Sequence, residues 1–220
     1  MEKRIKKMLK EDDIGAIGIG AMIVFIAMVL VAGIAASVLI QTSGRLETQA
    51  MQSGAETISE VATGIEVEGV LGYNQTGDGN ISRLAIQVRP RAGSRGIDLS
   101  ETVVELSDSN TKNLFTYNQG NFTDTESIDG DIFRWNFYPW DNNTIFGIIV
   151  LEDADDSITQ SNPVLNSGDH VILTINVTKA FGGFGTRVDV SGQIIPEEGS
   201  PGVISFSTPA AYNDAVVELQ

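Results

Sequence analysis

Few residues of this 220-residue chain have types and spacings that could carry catalytic chemistry. It has no cysteine and a single histidine, which excludes thiol nucleophiles, thiolate zinc sites and histidine-rich metal sites. The histidine, His170, directly follows Asp169, and neighbouring residues of a strand point to opposite faces. We therefore interpret His170 as an ordinary surface residue, assign no catalytic residue and predict that the chain is not an enzyme.

Two other patterns could bind a small ligand. Acidic clusters at 124–131 and 153–156 offer calcium ligands, but neither has the spacing of an EF-hand. We interpret them as solvated loops, with a bound divalent cation as the alternative. Gly15, Gly18 and Gly20 resemble a phosphate-binding turn, but no strand precedes them and Ile23 stands where the dinucleotide fingerprint requires glycine. We predict no metal and no cofactor.

The charge of the chain argues against nucleic acid as a partner. Lys and Arg number 14 against 29 Asp and Glu, a net charge of -15, whereas nucleic-acid binding needs a basic face. Five of the basic residues lie within the first ten positions: Lys3, Arg4, Lys6, Lys7 and Lys10. An acidic body thus follows a short basic N-terminus.

Residues 14–44 form a run of 31 residues without a charged side chain. A helix rises about 1.5 Å per residue, so residues 16–40 would extend about 37 Å, and a bilayer core needs only about 20 residues. The run is apolar on all faces, which predicts burial on every side, in lipid or in protein. The basic residues before it predict a cytoplasmic N-terminus.

After Arg45 the pattern becomes amphipathic, with an apolar stripe at helical spacing formed by Leu46, Ala50, Gly54, Ile58 and Val61. Small members of this stripe would let a second helix approach closely. We predict one nearly continuous helix that ends near Gly64, and an assembly segment at 16–64. Its glycines each cost about 1 kcal/mol of helix propensity, which indicates packing against neighbours unless they are merely tolerated.

From residue 65 onward, short β-branched runs alternate with Gly, Asn, Asp and Pro turns. Strands are predicted at 65–71, 84–88, 102–106, 133–137, 146–151, 171–177, 187–195 and 203–206. This spacing is typical of an all-β sandwich or barrel, here over 65–220. Trp135 and Trp140 are interpreted as core and rim of that domain, with a carbohydrate-stacking surface as the alternative. The predicted fold is α+β, a long hydrophobic N-terminal helix followed by the all-β domain.

Five Asn-x-Ser/Thr sequons lie in the β domain, at Asn74, Asn80, Asn121, Asn142 and Asn176. If the domain faces outward, they are candidate N-glycosylation sites that would carry bulky, solubilising glycans. Ordinary polar turn chemistry is the alternative.

The N-terminal layout resembles a known family. Lys10-Glu11-Asp12-Asp13-Ile14-Gly15-Ala16 is a short charged leader that ends in glycine ahead of an uninterrupted apolar helix, similar to class III, type IV prepilin-like leaders. The run Ile17-Gly18-Ile19-Gly20-Ala21-Met22-Ile23-Val24-Phe25-Ile26-Ala27-Met28-Val29-Leu30-Val31-Ala32-Gly33-Ile34-Ala35-Ala36 closely resembles the archaeal flagellins, or archaellins. The likeness covers about residues 11–65 in detail, and the β domain only in general character. One departure is Ile14, where many archaellins have Lys or Arg.

The resemblance implies a processing pathway. Residues 1–15 would be a leader that a prepilin-type peptidase cuts between Gly15 and Ala16, which makes Gly18 and Gly20 the third and fifth residues of the mature chain. It also implies a membrane-inserted precursor and an ATPase-driven assembly platform.

The resemblance implies that the product is a secreted helical homopolymer, with or without other archaellins, that forms the extracellular filament for swimming. The candidate glycosylation sites would lie on its surface. The residues assigned to assembly are Gly18, Gly20, Phe25, Ala27 and Gly33. Two alternatives stay open: an archaeal type IV adhesion pilin with the same processing, and a membrane-anchored ectodomain that binds or hydrolyses carbohydrate.

Overall fold

The computed structural model of the chain describes residues 2–75, 79–124, 127, 130–140 and 143–220. These residues form two compact units, the first ending at Ala55 and the second running Glu56–Gln220. Each unit is described separately below.

A single α-helix, α1, spans Glu2–Ala62, so the predicted long apolar helix is confirmed. It begins earlier than expected, because the charged residues before the apolar run continue the helix rather than interrupt it. It ends where Thr63 N donates to Ser59 O at 2.8 Å, immediately before Gly64.

The β domain contains short strands and one short helix in the described part of the chain. The strands are β1 Ile65–Asn74, β2 Ile81–Pro90, β3 Ile97–Asp98, β4 Val103–Ser107, β5 Lys112–Thr123, β6 Ile145–Glu152, β7 Val164–Leu165, β8 His170–Asn176, β9 Asp189–Ile195, β10 Gly202–Ser207 and β11 Val216–Glu218. The helix α2 spans Val177–Phe181, between β8 and β9.

Nine of the described strands form one sheet in the order β10-β9-β4-β5-β6-β8-β2-β1-β11, and β3 pairs with β7 separately. The β5–β6 pair is parallel, while the other pairs of the large sheet are antiparallel. The sheet curls until its two ends approach each other. Ser205 N in β10 donates to Gln220 Oε1 beyond β11 at 2.8 Å, and Ile65 N in β1 donates to Ser200 O at 3.2 Å. A curled sheet of this kind is the barrel-like form of the predicted all-β domain.

The curl encloses the main core, and a second, smaller core covers part of the outer face. Fully buried members of the main core include Ile65, Leu84, Phe146 and Leu173. The central strands bury both of their faces because the second core lies on the other side of the sheet; its members are Ala85, Phe133, Phe137, Tyr138, Ile149 and Ile172. The segment 130–140 therefore serves as a lid on the sheet.

The strand predicted at 133–137 is wrong. This segment instead turns through a 3-10 helix at Trp135–Phe137. Asp131 Oδ1 accepts a hydrogen bond from Phe133 N at 2.9 Å, which starts a local turn in place of a strand ladder. Phe133 and Phe137 are buried by packing on the sheet face, so these apolar residues need no neighbouring strand to cover them.

Strand β5 was not predicted from the sequence. Its buried residues do not alternate regularly, and the Asn-Gln-Gly-Asn stretch in its second half has the composition of a turn. Helix α2 is also unpredicted, since five residues are too few for helical periodicity to appear. Asn176 caps it, accepting from Lys179 N at 3.1 Å, and Gly182 closes it at φ 80°.

Candidate assembly helix and outer surface

The described side chains of α1 from Ile17 to Ile58 are all exposed within the chain, including those of its large apolar residues. Phe25 exposes 68% of its surface and Ile40 exposes 73%, although both belong to an uncharged run. Exposed apolar surface of this extent marks a membrane or protein interaction site. Among the described residues, Ile17–Ala62 is the segment long and apolar enough to cross a bilayer.

The glycines of α1 whose surroundings the structure describes fit against no other part of the chain. A Cβ added at Gly18, Gly20 or Gly33 would meet no atom within 4 Å apart from the helix backbone. A helix interior disfavours glycine relative to alanine by about 1 kcal/mol, so a chain acting alone gains nothing from these glycines. Such residues are suited to close approach by a helix of another chain.

The glycines of the β domain are different, because several are required by its own packing. A Cβ at Gly192 would lie 2.1 Å from Glu105 O, and one at Gly199 would lie 2.3 Å from Thr63 O. The described glycines of the helix therefore make no close contact within the chain, whereas several glycines of the β domain are required by such contacts.

Hydroxyl groups on the helix are satisfied locally. Thr42 Oγ1 donates to Val38 O at 2.7 Å, and Thr48 Oγ1 donates to Gly44 O at 2.9 Å. Such back-bonding pairs the hydroxyl group without help from water. Removing water from this part of α1 would therefore leave neither threonine hydroxyl group without a hydrogen bond.

The remaining residues assigned to processing and assembly also lie in α1. Gly15 and Ala16 fall within its backbone span, and Ala27 lies on its exposed apolar stretch.

The sequons differ in accessibility. Asn74, Asn80 and Asn176 lie at the same end of the sheet, since Asn74 pairs with Ile81 and Asn176 pairs with Arg83 in adjacent strands. Asn74 is buried, whereas Asn80 is exposed.

The other three sequons complete this comparison. Asn176 is half-buried, and its amide Nδ2 donates to Pro139 O at 3.1 Å while its Oδ1 caps α2. Asn121 is half-buried in β5. Asn142 lies outside the described residues.

The acidic loop at 153–156 lies beside Asp169, which was not part of the predicted acidic cluster. One carboxylate oxygen from each of Asp153, Asp155 and Asp169 lies within 4.8 Å of the other two, so the group could in geometry hold a cation. Asp169 is buried, and its carboxylate accepts hydrogen bonds from Ala154 N at 3.0 Å and from Asn166 N at 2.8 Å. These backbone amides satisfy the buried carboxylate oxygens without a cation.

Local hydrogen bonds also satisfy the other two carboxylates of this loop. Asp153 accepts from Ser157 N at 3.1 Å and from Ile158 N at 3.0 Å. The side chains of Asn166 and Ser157 donate to Asp155 and lower the pKa of that carboxyl below its usual value. The other predicted acidic cluster falls partly on 125, 126, 128 and 129, which lie outside the described residues.

His170 and Asp169 contact different partners, because Asp169 belongs to the loop before β8 and His170 is the first residue of that strand. While Asp169 points into its loop, His170 Nδ1 lies 3.1 Å from Glu68 Oε2 at the surface. Arg89 also contacts Glu68, at 3.1 Å, within the same surface cluster. The cluster pairs opposite charges across neighbouring strands and offers no nucleophile.

Aromatic residues of the lid divide between burial and exposure. Tyr138 is buried, and burial raises the pKa of its hydroxyl. Arg83 donates to Phe133 O, and its guanidinium lies 4.9 Å from the centre of the Tyr73 ring. Trp140 is 59% exposed and borders an open depression of about 350 Å³ with Arg83 and Asn176. The side chain of Trp135 lies outside the described part.

Comparison with known proteins gives a consistent result. The family described as archaeal-type flagellin matches residues 15–206. Flagellin B2 of Methanocaldococcus jannaschii is 43% identical over 209 residues, covering 94% of this chain and 95% of its own length.

Two solved structures are similar in fold. The crystal structure of archaeal flagellin FlaB1 from Methanocaldococcus jannaschii has a TM-score of 0.63 at 37% identity, covering 72% of this chain and 98% of that one. The archaeal flagellum of Methanospirillum hungatei strain JF1 has a TM-score of 0.61 at 17% identity, over 91% of this chain and 98% of that one, a likeness of fold alone. The chain therefore belongs to the archaeal-type flagellin family, and its function is that of a structural subunit of the archaeal flagellum.

Proposed function

We propose that the chain is made as a membrane-inserted precursor, is cut between Gly15 and Ala16, and polymerises through α1 into the filament. The observation that carries this proposal is the exposed apolar surface of α1, with glycines that its own chain does not need. The basic residues at the N-terminus would hold that end in the cytoplasm before cleavage. Removal of residues 1–15 would take away all the lysines that precede the apolar run.

Transfer from lipid to filament is energetically reasonable for such a helix. Lipid tails and neighbouring helices are comparably apolar, so close packing rather than hydrophobic burial decides between them. Glycine lets backbones approach, which favours the helical bundle over the bilayer. Contacts of one face of a subunit with a different face of the next do not close, and they generate a helical filament.

The second unit would form the outer surface of the filament. It has a complete hydrophobic core of its own, so its fold does not depend on assembly. Its acidic surface would keep the polymer soluble, and glycans on accessible asparagines would add to this effect.

The proposed route requires further partners. A prepilin-type peptidase would cut the leader, and a membrane platform driven by an ATPase would extract and add subunits. The main partner is the chain itself, in a homopolymer that could also accept related flagellins. The family role is structural, and none of these steps requires catalysis by this chain.

The first test is the mass and N-terminal sequence of the chain recovered from sheared extracellular filaments. A start at Ala16 is the expected result. A start at Met1, or near Val38 as after cleavage by a signal peptidase, would contradict the proposal. Gly15→Val should leave the leader attached, whereas the matched control Gly44→Val, far from the leader, should still be cut.

Deletion of the gene distinguishes swimming from adhesion. A swimming filament predicts loss of motility with surface attachment retained, while an adhesion pilin predicts the reverse. A membrane-anchored ectodomain would stay with the membrane fraction and yield no sheared filament.

A further inference from the structure

The charged residues of α1 beyond the apolar run form no ion pair with any residue that the structure describes. Between Ile14 and Ala62 the only basic residue is Arg45, and the acidic residues are Glu47, Glu56 and Glu60. Among the described residues, ion pairs are found in the β domain, and Arg45 takes part in none of them.

The helix itself cannot pair Arg45. Side chains three or four residues apart are neighbours on a helix, and these positions around Arg45 hold Gln41, Thr42, Thr48 and Gln49. None of them is charged. The acidic residues do not stabilise one another either, because Glu56 and Glu60 lie four residues apart and their like charges repel.

Arg45 directly follows the uncharged run, although its own neighbours on the helix surface are polar. Leu46 beside it is 61% exposed, and Ile40, more than one turn before it and on another face, is 73% exposed. Neighbouring helices that cover these apolar residues would also displace water from around the guanidinium. A dehydrated charge is costly unless an opposite charge and hydrogen bonds compensate for it. Arginine is suited to this task, because its fork binds a carboxylate through two hydrogen bonds.

We propose that Arg45 pairs with a carboxylate on α1 of a second copy of this chain, Glu47, Glu56 or Glu60, and that this pair sets the lengthwise offset of neighbouring helices. The second copy is the occupant because identical parallel helices bring this amphipathic stretch of one chain beside the same stretch of the next, where opposite charges complement each other. An apolar surface alone would let helices slide, whereas an ion pair selects one register. This inference rests on the proposed polymerisation through α1.

Charge reversal of the full chain in cells that lack other flagellins tests the pair. We expect Arg45→Glu to lower the yield of sheared filament at least about 100-fold, since it places like charges together at every interface. One of the double variants with Glu47→Arg, Glu56→Arg or Glu60→Arg should restore the yield, and its position reports the offset. Gln52→Glu, which adds a negative charge outside the three- and four-residue positions that could pair with Arg45, is the matched control and should assemble.

Crosslinking gives a second measurement that does not depend on loss of assembly. Arg45→Lys keeps the charge and creates the only lysine between Ala16 and Ala62, so a zero-length carbodiimide can join it to a paired carboxylate. Filaments assembled from mixed isotope-labelled and unlabelled subunits should yield mixed crosslinked peptides between residue 45 and one of the three glutamates.

Three outcomes would overturn the inference: a normal yield from Arg45→Glu, failure of all three double variants to restore it, or crosslinks that form only within one chain. Its failure differs from failure of the proposed function. If the wild-type chain and the Arg45 variants both form filaments whose subunits start at Ala16, only the inference about Arg45 fails. If the wild-type chain itself forms no filament, the proposed polymerisation is contradicted.

Discussion

The hydroxyl group of Thr174 donates a 2.8 Å hydrogen bond to the carbonyl oxygen of Phe137. Thr174 is fully buried in β8, at the centre of the sheet, and Phe137 belongs to the lid over the outer face. The bond thus anchors the lid to the strand beneath it. It also explains a polar residue inside an otherwise apolar strand, because the lid carbonyl would have no partner without it.

Replacement of this threonine should loosen the lid. Thr174→Val keeps the shape and removes the hydroxyl group, which leaves the Phe137 carbonyl buried and unpaired at a cost of about 1–3 kcal/mol. We expect a lower Tm for the β domain in calorimetry. Thr178→Val, at an exposed position with a 3.4 Å contact, is the matched control and should change the Tm little. Equal Tm values for both variants would contradict an anchoring role.

Glycine substitutions should separate folding from assembly. Gly192→Ala places a Cβ 2.1 Å from Glu105 O, so the backbone of two paired strands must move, at a cost of about 1–3 kcal/mol. At about 2–4 °C per kcal/mol, this shift is measurable by thermal denaturation. Gly18→Ala is the control, since its Cβ would meet open space within the chain, and the β domain should melt as in wild type. A lower melting temperature for Gly18→Ala would show a contact within the chain.

A charge on the apolar part of α1 should abolish filaments without harm to the β domain. Gly18→Asp and Ala27→Asp each introduce a carboxylate that would be dehydrated and unpaired between helices. We expect no sheared filament, together with an unchanged β-domain melting temperature measured by circular dichroism. Normal filaments from either variant would contradict a dry helical bundle. Asn110→Asp on the exposed β4–β5 turn is the control for an added carboxylate and should assemble.

The acidic loop should respond to pH through Asp155. Hydrogen bonds from the side chains of Asn166 and Ser157 hold the pKa of this carboxyl below its ordinary value of 3.8. Because the folded pKa is lower than the unfolded one, the stabilisation is present above about pH 4 and is lost as pH falls through the folded pKa. Asn166→Leu should raise the pKa of Asp155 toward 3.8, as measured by NMR titration of the carboxyl carbon.

A nearby asparagine serves as the control for that titration. Asn162 contacts Thr159 through its backbone, so Asn162→Leu should leave the pKa of Asp155 where it is. An unchanged pKa in the Asn166 variant would show that its amide does not stabilise the carboxylate.

Glycan occupancy should follow the exposure of the asparagine in the folded domain. Asn80 is exposed, whereas both amide atoms of Asn176 are engaged by Pro139 and Lys179. If glycans are added, we expect Asn80→Gln to reduce the mass of filament subunits by one glycan and Asn176→Gln to remove none. Asn176→Gln should instead lower stability by about 0.5–2 kcal/mol through loss of the cap on α2. A glycan found on Asn176 would mean that attachment precedes the folding of α2.

Much of the fold could be predicted from local pattern. The uncharged run before Arg45 predicts a helix because no other structure satisfies its backbone in an apolar environment. Alternating β-branched runs predict strands such as β1, β8 and β10 for a similar reason, since each needs only its own periodicity. The segment 133–137 was misread because an apolar run reports burial and not the partner that buries it. Strand β5 was missed because its pairing with β6, rather than its own composition, holds it in the sheet.

The candidate sites divide in the same way. By itself the sequence determined the long apolar helix, its glycines, the basic N-terminus and the positions of the sequons, because each is a matter of residue type and spacing along one chain. Only the tertiary structure decided that the helical glycines are free of contacts within the chain while Gly192 is enclosed, and that Asp169 joins Asp153 and Asp155. It also decided which asparagines are accessible. These properties depend on distances between residues far apart in the chain, and those distances exist only once the sheet has curled and its loops have packed.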